Sequence, residues 1–256
     1  MNAIVSTPGG YAYLPGGLHP FSNGVVALDG FALQRVRLRR PLPFGAGLGI
    51  IGAVLEAQAR PRAALAACEL RSPAAMSPDE FKRFNEEYRS RLDADGFGAV
   101  EACPIARSNL APRFDAPAGN TLFAFTYALP TTPAMPSATP AMVADVGPDF
   151  VISGKPENTA ESPGVVAPGD VSPAGMRRKC AHVIAALRER VDALGARWSD
   201  ITGANIYTLQ PLDAMLELFA QNGLLHAGAT LVPRLPPLIG FDFEIDVRCV
   251  RTERVV

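Results

Sequence analysis

The chain has 256 residues, of which 48% are hydrophobic, enough for one large domain or two of ordinary size. Lysine and arginine (24) nearly balance aspartate and glutamate (25), and neither sign forms a long block, so the charge pattern excludes a nucleic-acid footprint. The N-terminus lacks a signal-like apolar core and no apolar run reaches about 18 residues, which predicts a cytoplasmic protein without membrane association. The scattered cysteines favour reduced, buried thiols over disulfides or zinc ligands.

Strand and helix signals alternate through the first half. The turn dipeptide Asp29-Gly30 separates two apolar runs and predicts a hairpin over residues 25–38. Ser77-Pro78-Asp79-Glu80 combines an N-cap, a proline and first-turn acids, which predicts the start of a helix. The complete prediction for this half is strands at 25–28 and 31–38, a helix at 47–58, a strand at 63–70, a helix from 78, and strands at 107–110 and 122–129.

A proline-rich segment divides the chain. Four prolines between Pro130 and Pro140 cannot continue a helix or a central strand, so the segment is typical of an extended linker. We therefore predict an N-terminal domain over residues 1–130, a linker over 131–141 and a C-terminal domain over 142–256.

The second half has the same order of elements, β-α-β-α-β-β. Ser172-Pro173 supplies an N-cap and a first-turn proline, and the following apolar residues recur every three or four positions, as in an amphipathic helix. Residues 241–247 alternate with period two and place their acids on one face of a strand. The other predicted elements are strands at 149–154, 201–209 and 229–232 and a helix at 212–221. The shared order of elements indicates an internal duplication.

Several short segments resemble the Rid (YjgF-like) family. They are Arg107-Ser108-Asn109-Leu110 after the helix of residues 81–88, and, in the second half, Ser153-Gly154, Asp200-Ile201 and Asn205-Ile206-Tyr207. The resemblance implies an α+β fold of two Rid-like (chorismate-mutase-like) domains, each a mixed β-sheet covered on one face by two helices. It also implies a homotrimeric ring with ligand clefts between domains.

The resemblance further implies a deaminase that hydrolyses a small carboxylated enamine or imine, such as a 2-iminoacid or an aminomuconate. Arg107 matches the family arginine that holds the substrate carboxylate, as a planar guanidinium can. The first half has no acid on its last strand, whereas Asp242 and Glu244 lie where the family's catalytic acids occur. In the second half the arginine position falls on Gly228. We therefore predict that one half supplies Arg107 and the other an acid, so that one of two cleft types works.

Further residues are candidates for substrate contact, namely Cys103, Asn109 and His226. Other interpretations stay open: an arginine at a strand start is often solvated or at an interface, and alternating acids on a closing strand often face water. The alternatives to the deaminase are a non-catalytic carboxylate-binding protein and a chorismate-converting enzyme of related two-domain fold. Residues 47–52 match the dinucleotide pattern G-x-G-x-x-G, yet a glycine-rich helix packed on a sheet explains them as well. We expect neither a cofactor nor a metal.

Overall fold

The computed structural model describes residues 4–16, 21–98, 103–131, 147–159 and 164–256. Most of the predicted linker lies outside these residues. The strands are β1 (Val5–Ser6), β2 (Tyr11–Pro15), β3 (Ser22–Ala27), β4 (Phe31–Pro43), β5 (Leu65–Arg71), β6 (Ala106–Pro112), β7 (Thr121–Pro130), β8 (Phe150–Pro156), β9 (Gly203–Thr208), β10 (Ala229–Val232), β11 (Arg234–Leu235), β12 (Phe243–Cys249) and β13 (Thr252–Val255). The helices are α1 (Phe44–Ala57), α2 (Pro78–Ala94), α3 (Pro173–Ala193) and α4 (Asp213–Gln221), with short 3₁₀ turns at Arg62–Ala64 and Trp198–Asp200.

These strands form two mixed sheets that share one arrangement of four neighbouring strands. The six-stranded sheet has the order β11-β6-β5-β7-β4-β13, and the seven-stranded sheet has the order β1-β2-β3-β8-β12-β9-β10. In each sheet a parallel pair, β5 with β6 or β9 with β10, is followed by an antiparallel neighbour, β7 or β12; β13 adds a second parallel pair by joining β4. Strands β6, β5, β7 and β4 thus correspond to β10, β9, β12 and β8, which fits the predicted duplication.

Each sheet packs its helices on one face and the other sheet on the opposite face. One apolar core joins α3 and α4 to residues such as Phe243, Ile245 and Val247, and a second joins α1 and α2 to the six-stranded sheet. A third, smaller core of mainly small residues, including Ala66, Ala106 and Ala128, lies between the sheets. The predicted α+β fold of two Rid-like halves is confirmed. None of the helices in the described ranges has the length and apolar run needed to cross a membrane.

Local sequence signals explain where the two long helices begin. The Ser77 side chain accepts a hydrogen bond from the Glu80 backbone, and the Glu80 carboxylate accepts one from the Ser77 backbone, which forms a complete capping box. Ser172 caps α3 by accepting a hydrogen bond from the Gly175 backbone at 3.2 Å. These helix starts were predicted correctly.

Strand pairing differs from the prediction at both ends of the chain. The hairpin over residues 25–38 is wrong, because β3 pairs with β2 and β8 whereas β4 pairs with β7 and β13. Asp29 and Gly30 therefore turn the chain from one sheet into the other. Strands β1 to β3 extend the sheet of the second half, and β13 pairs with β4 in the sheet of the first half. The two halves thus exchange their terminal strands.

Candidate active site between the two halves

A cleft of about 230 Å³ opens between the two halves of the chain. The first half contributes α2 and the start of β6, and the second contributes the end of β8, α3 and the start of β12. The polar side chains that line it include Asn85, Arg107, Asn109, Ser153, Arg190 and Glu244. The fold therefore places the predicted guanidinium and one predicted acid in the same cleft.

Arg107 lies at the start of β6, and its guanidinium is surrounded by aromatic rings. Its Cζ atom is 4.1 Å from the ring centre of Phe21 and 5.0 Å from that of Tyr88. Phe84 and Phe81 follow at 5.3 and 5.8 Å. Phe81, Phe84 and Tyr88 recur along one face of α2, which explains why a single helix supplies three of the four rings. These rings exclude water from the guanidinium while favouring its positive charge.

One donor of Arg107 lacks a partner. Its Nη1 atom is buried and makes no hydrogen bond within the part of the chain that the structure describes. Burial lowers the pKa of the guanidinium, because water no longer stabilises its charge. A buried cationic donor without a partner favours an anionic ligand over an empty cleft. The alternative interpretation of Arg107, a solvated side chain, therefore does not describe its buried guanidinium.

The Ser153 hydroxyl group holds the backbone of Arg107 in place. Its hydroxyl accepts a hydrogen bond from the Arg107 backbone N–H at 3.1 Å and donates one to the Ser22 carbonyl at 2.6 Å. This hydroxyl ties β6, β8 and β3 together, across both sheets. The position of Arg107 in the cleft therefore depends on the association of the two halves.

Glu244 on β12 is the acid in this cleft. It is buried, so the alternative that this acid faces water is wrong. Burial raises the pKa of Glu244 to about 8, with further increases from Asp246 and Glu157, while Arg107 and Lys155 act in the opposite direction. At neutral pH the carboxyl group is therefore mainly protonated and can donate a proton.

Gly154 leaves the space that Glu244 occupies. A Cβ atom on Gly154 would lie 1.9 Å from the Glu244 Oε1 atom and 3.0 Å from its Cδ atom. Every other amino acid at position 154 would displace the carboxyl group. The Ser153-Gly154 pair, read from the sequence only as a family feature, thus positions both Arg107 and Glu244.

Two further cations lie near Glu244, and no sequence pattern had singled them out. Burial lowers the pKa of Arg190 to about 10, and the Arg190 side chain donates to the Ser153 carbonyl at 3.3 Å. Burial and the nearby Arg190 lower the pKa of Lys155 to about 8. Arg190 is one charge among several on a long helix, so only the packing of α3 against β8 identifies it.

The other predicted contact residues are less directly placed. Asn109 lines the cleft, but its side-chain amide donates to the Ser72 hydroxyl at 2.8 Å and its oxygen accepts from the Leu110 backbone. Cys103 is completely buried and does not line the cleft, and burial raises its pKa to about 11. His226 is exposed in the turn after α4 and does not line the cleft either.

Asp242 takes part in a separate ion cluster. Its carboxylate accepts a hydrogen bond from Lys179 at 2.5 Å, and Lys179 also donates to Glu157 at 3.1 Å. The Glu157 carboxylate in turn accepts from the backbone N–H of Asp242 at 2.6 Å. The structure therefore uses Asp242 to fix the start of β12, two residues before Glu244, and does not place it on the lining of the cleft.

The G-x-G-x-x-G segment lies inside α1 and not in a loop between a strand and a helix. A Cβ atom on Gly47 would lie 2.7 Å from the Leu122 side chain, so this glycine permits close packing of the helix on β7. In the described ranges, no group of three or more histidine, cysteine or acidic side chains is placed to hold a metal ion.

Comparison with known proteins identifies the family of the chain. Residues 3–254 match the family described as 2-aminomuconate deaminase CnbZ. The chain belongs to this family. A 2-amino-5-chloromuconate deaminase from Comamonas testosteroni is 34% identical over 261 positions, which cover 100% of the chain and 99% of the relative. The predicted enzyme class, a deaminase, is confirmed by this membership.

Two solved structures resemble the CnbZ-family chain in fold. The match to a chorismatase covers 89% of this chain and 77% of the chorismatase chain, with 16% identity and a TM-score of 0.47. The match to the YjgF gene product from E. coli covers 42% of this chain and 84% of the YjgF chain, with 18% identity and a TM-score of 0.32. The predicted recognition, a two-domain Rid-like deaminase, is confirmed by the family match and the curated relative.

Proposed function

We propose that the protein hydrolytically deaminates a small carboxylated enamine of the 2-aminomuconate type in the cleft that contains Arg107 and Glu244. The observation that carries the proposal is the meeting of two complementary groups in one cleft. Arg107 has a buried donor without a partner, and Glu244 is a buried acid that holds its proton near neutral pH. The relative from Comamonas testosteroni, a 2-amino-5-chloromuconate deaminase, supports the substrate class.

Arg107 binds one carboxylate of the substrate. The cage of Phe21, Phe81, Phe84 and Tyr88 removes water around the guanidinium, which strengthens its attraction for an anion. Bidentate pairing would fix the plane of the carboxylate and hence the adjacent carbon that bears nitrogen. Arg190, which also lines the cleft, is suited to the second carboxylate of a dicarboxylic substrate.

Glu244 transfers protons. Its protonated carboxyl group donates to the enamine carbon chain, which converts the C–N bond to C=N, and the resulting carboxylate accepts a proton from water as the water oxygen bonds to that carbon. Glu244 then protonates the nitrogen, the C–N bond breaks, and ammonia leaves as the hydroxyl proton returns to the carboxylate. One water is consumed, and an oxo acid and one ammonia are formed. In this mechanism Glu244 acts as both general acid and general base, which requires a pKa near neutral pH.

Ammonia release tests the proposal. We would measure it with freshly generated 2-aminomuconate and 2-iminobutanoate, for the wild type and for Arg107→Ala. Loss of a buried charged hydrogen-bond partner costs about 2–5 kcal/mol, so kcat/KM is expected to fall by about 30-fold to 5,000-fold. Arg83→Ala is the matched control, since Arg83 is an exposed arginine on α2 and its removal changes the net charge equally.

The alternatives give different results. Equal rates for the wild type and Arg107→Ala would remove Arg107 from the reaction. Stoichiometric ligand binding without ammonia release would favour a carboxylate-binding protein, and hydroxybenzoate formed from chorismate would favour a chorismate-converting enzyme.

We also propose that the chain forms a homotrimer in the cytoplasm. Apolar side chains exposed on the single chain, including Phe114, Leu231 and Ile239, support burial of further surface in an assembly. The four cysteines are free and buried, which suits a reducing compartment. Sedimentation equilibrium would give a mass three times that of the chain, and a monomer at all concentrations would refute the trimer.

A further inference from the structure

A second cleft, of about 520 Å³, lies between the halves at the place equivalent to the first. The first cleft is lined by β6 of one half and by β8 and β12 of the other. The second is lined by β10, which corresponds to β6, and by β4 and β7, which correspond to β8 and β12. Duplication has therefore produced two related clefts with different side chains.

The second cleft is rich in arginine. Its charged lining consists of the five arginines Arg35, Arg37, Arg71, Arg234 and Arg248, with Asp115 and Glu253 as the acids. We call this site the arginine cleft. The arginines come from strands of both halves, so the site exists only when the two sheets are packed together. Its lining carries more positive than negative charge, which favours an anionic ligand with more than one charge.

Some of these arginines already have protein partners. Arg35 donates to both carboxylate oxygens of Glu69, at 2.6 and 2.8 Å, and lies 2.8 Å from Glu253. The Arg71 guanidinium stacks 4.1 Å from the ring centre of Phe123 and donates to the Leu70 carbonyl. These arginines form a fixed cationic wall.

Arg234 and Arg248 have donors that remain to be satisfied. The Nε atom of Arg234 and the Nη1 atom of Arg248 are buried and lack hydrogen-bond partners among the residues that the structure describes. Arg234 uses its Nη1 atom to donate to the Phe114 carbonyl at 2.8 Å, which fixes the side chain at the edge of the cleft. Buried, unpaired guanidinium donors on two different strands are costly unless a ligand supplies acceptors.

The remaining lining indicates the chemistry of the ligand. Phe123, Val232 and the proline Pro112 give the cleft an apolar wall beside its guanidinium groups. Arginine pairs with planar carboxylates in a bidentate manner, and the apolar wall suits a hydrocarbon body between them. We propose that the arginine cleft is a second ligand site, which binds a small organic dicarboxylate with a flat hydrocarbon body.

No catalytic step is assigned to this site. In the first cleft the acid is Glu244 on β12, whereas the corresponding strand β7 presents Phe123 to the arginine cleft. Ligand bound there is held by charge and apolar contact alone. The arginine cleft is proposed independently of the reaction in the first cleft, whereas the expected stoichiometry of two muconates per chain rests on the proposed function of Arg107.

Isothermal titration with muconate (hexa-2,4-dienedioate) tests the proposal, because this probe has two carboxylates and lacks the amino group. The wild type is expected to bind two muconates per chain. Arg107→Ala should retain one site, and Arg234→Gln should weaken the other at least tenfold. Arg40→Gln is the matched control, because Arg40 is an exposed arginine on β4 outside the arginine cleft.

Sorbate (hexa-2,4-dienoate) and inorganic phosphate complete the experiment. Sorbate has the same hydrocarbon body and one carboxylate, so it should bind the arginine cleft at least tenfold more weakly than muconate. Unchanged muconate binding in both Arg234→Gln and Arg248→Gln would overturn the site. Phosphate binding as tight as that of muconate, with mutual displacement, would overturn the assignment to a dicarboxylate. Thermal unfolding curves of all variants verify that each remains folded.

Discussion

Replacing Gly154 by alanine would test whether the position of Glu244, and not its presence alone, determines the rate. The added Cβ atom would lie 1.9 Å from the Glu244 Oε1 atom. The backbone of Gly154 is in a strand, so alanine introduces no torsional strain of its own. The carboxyl oxygen must therefore move by about 1.5 Å to restore van der Waals distance.

A displacement of this size has a large expected effect on the chemical step. Misplacement of a reacting group by about 1 Å can lower a rate by about 10². We expect kcat of Gly154→Ala to fall by about that factor while KM changes little, because Arg107 keeps its contacts. The assay is ammonia release from 2-aminomuconate over a range of substrate concentrations. Gly49→Ala is the matched control, since a Cβ atom there meets nothing within 4 Å.

Two results would refute this reasoning. Wild-type kcat in Gly154→Ala would show that the reaction tolerates a displaced Glu244 or does not use it. An equal fall in Gly49→Ala would show that glycine replacement acts through general destabilisation.

Four further predictions concern pH and stability. Because the folded-state pKa of Glu244, about 8, is above its ordinary value of 4.5, kcat/KM should fall as pH rises through about 8, and Glu244→Gln should be nearly inactive at every pH. The raised pKa of Glu244 also means that the folded state binds this proton more tightly than the unfolded state. The free energy of unfolding of the wild type should therefore decrease from pH 4.5 to pH 8 more than that of Glu244→Gln, as measured by urea unfolding. Parallel pH dependences of the two proteins would contradict this. Lys179→Met leaves the carboxylates of Glu157 and Asp242 without their cation and should cost about 3–5 kcal/mol of unfolding free energy, and a loss below about 1 kcal/mol would show that the cluster is not stabilising. Ser77→Ala removes the α2 cap and should cost about 1 kcal/mol in the same measurement with ammonia release unchanged; lost activity would show that the helix start acts on the site.

The sequence predicted the individual residues of the candidate site better than the contact between the two halves that brings these residues together. Arg107 and Glu244 were both identified, since each lies on a strand with a recognisable pattern. Their common cleft depends on how the two sheets pack, and no local pattern specifies that contact. The same distinction explains the error at Asp29-Gly30, where the turn was read correctly but the pairing was not. Strand β3 pairs with β8, more than a hundred residues away, and this non-local choice decided the sheet.

Asp242 shows a different limit of sequence reasoning. Asp242 and Glu244 have the same parity on one strand, so the alternation alone treated them as equivalent acids. The structure separates them by their neighbours: Lys179 approaches Asp242, whereas Glu244 faces the cleft with Gly154 beside it. Knowledge of where α3 and β8 lie is needed to tell the two carboxyl groups apart.

The duplicated clefts suggest how two similar halves came to divide their roles. In the proposed mechanism, deamination needs both a cation for the carboxylate and a proton donor. The strand β7, whose Phe123 lines the second cleft, carries no acid, and Gly228 stands where the resemblance expects the arginine. Its arginines lie on other strands and belong to a binding surface without a proton donor such as Glu244. We therefore expect turnover at one cleft per chain, the cleft that contains Glu244. Active-site titration should accordingly give one catalytic site per chain, even where muconate binding gives two.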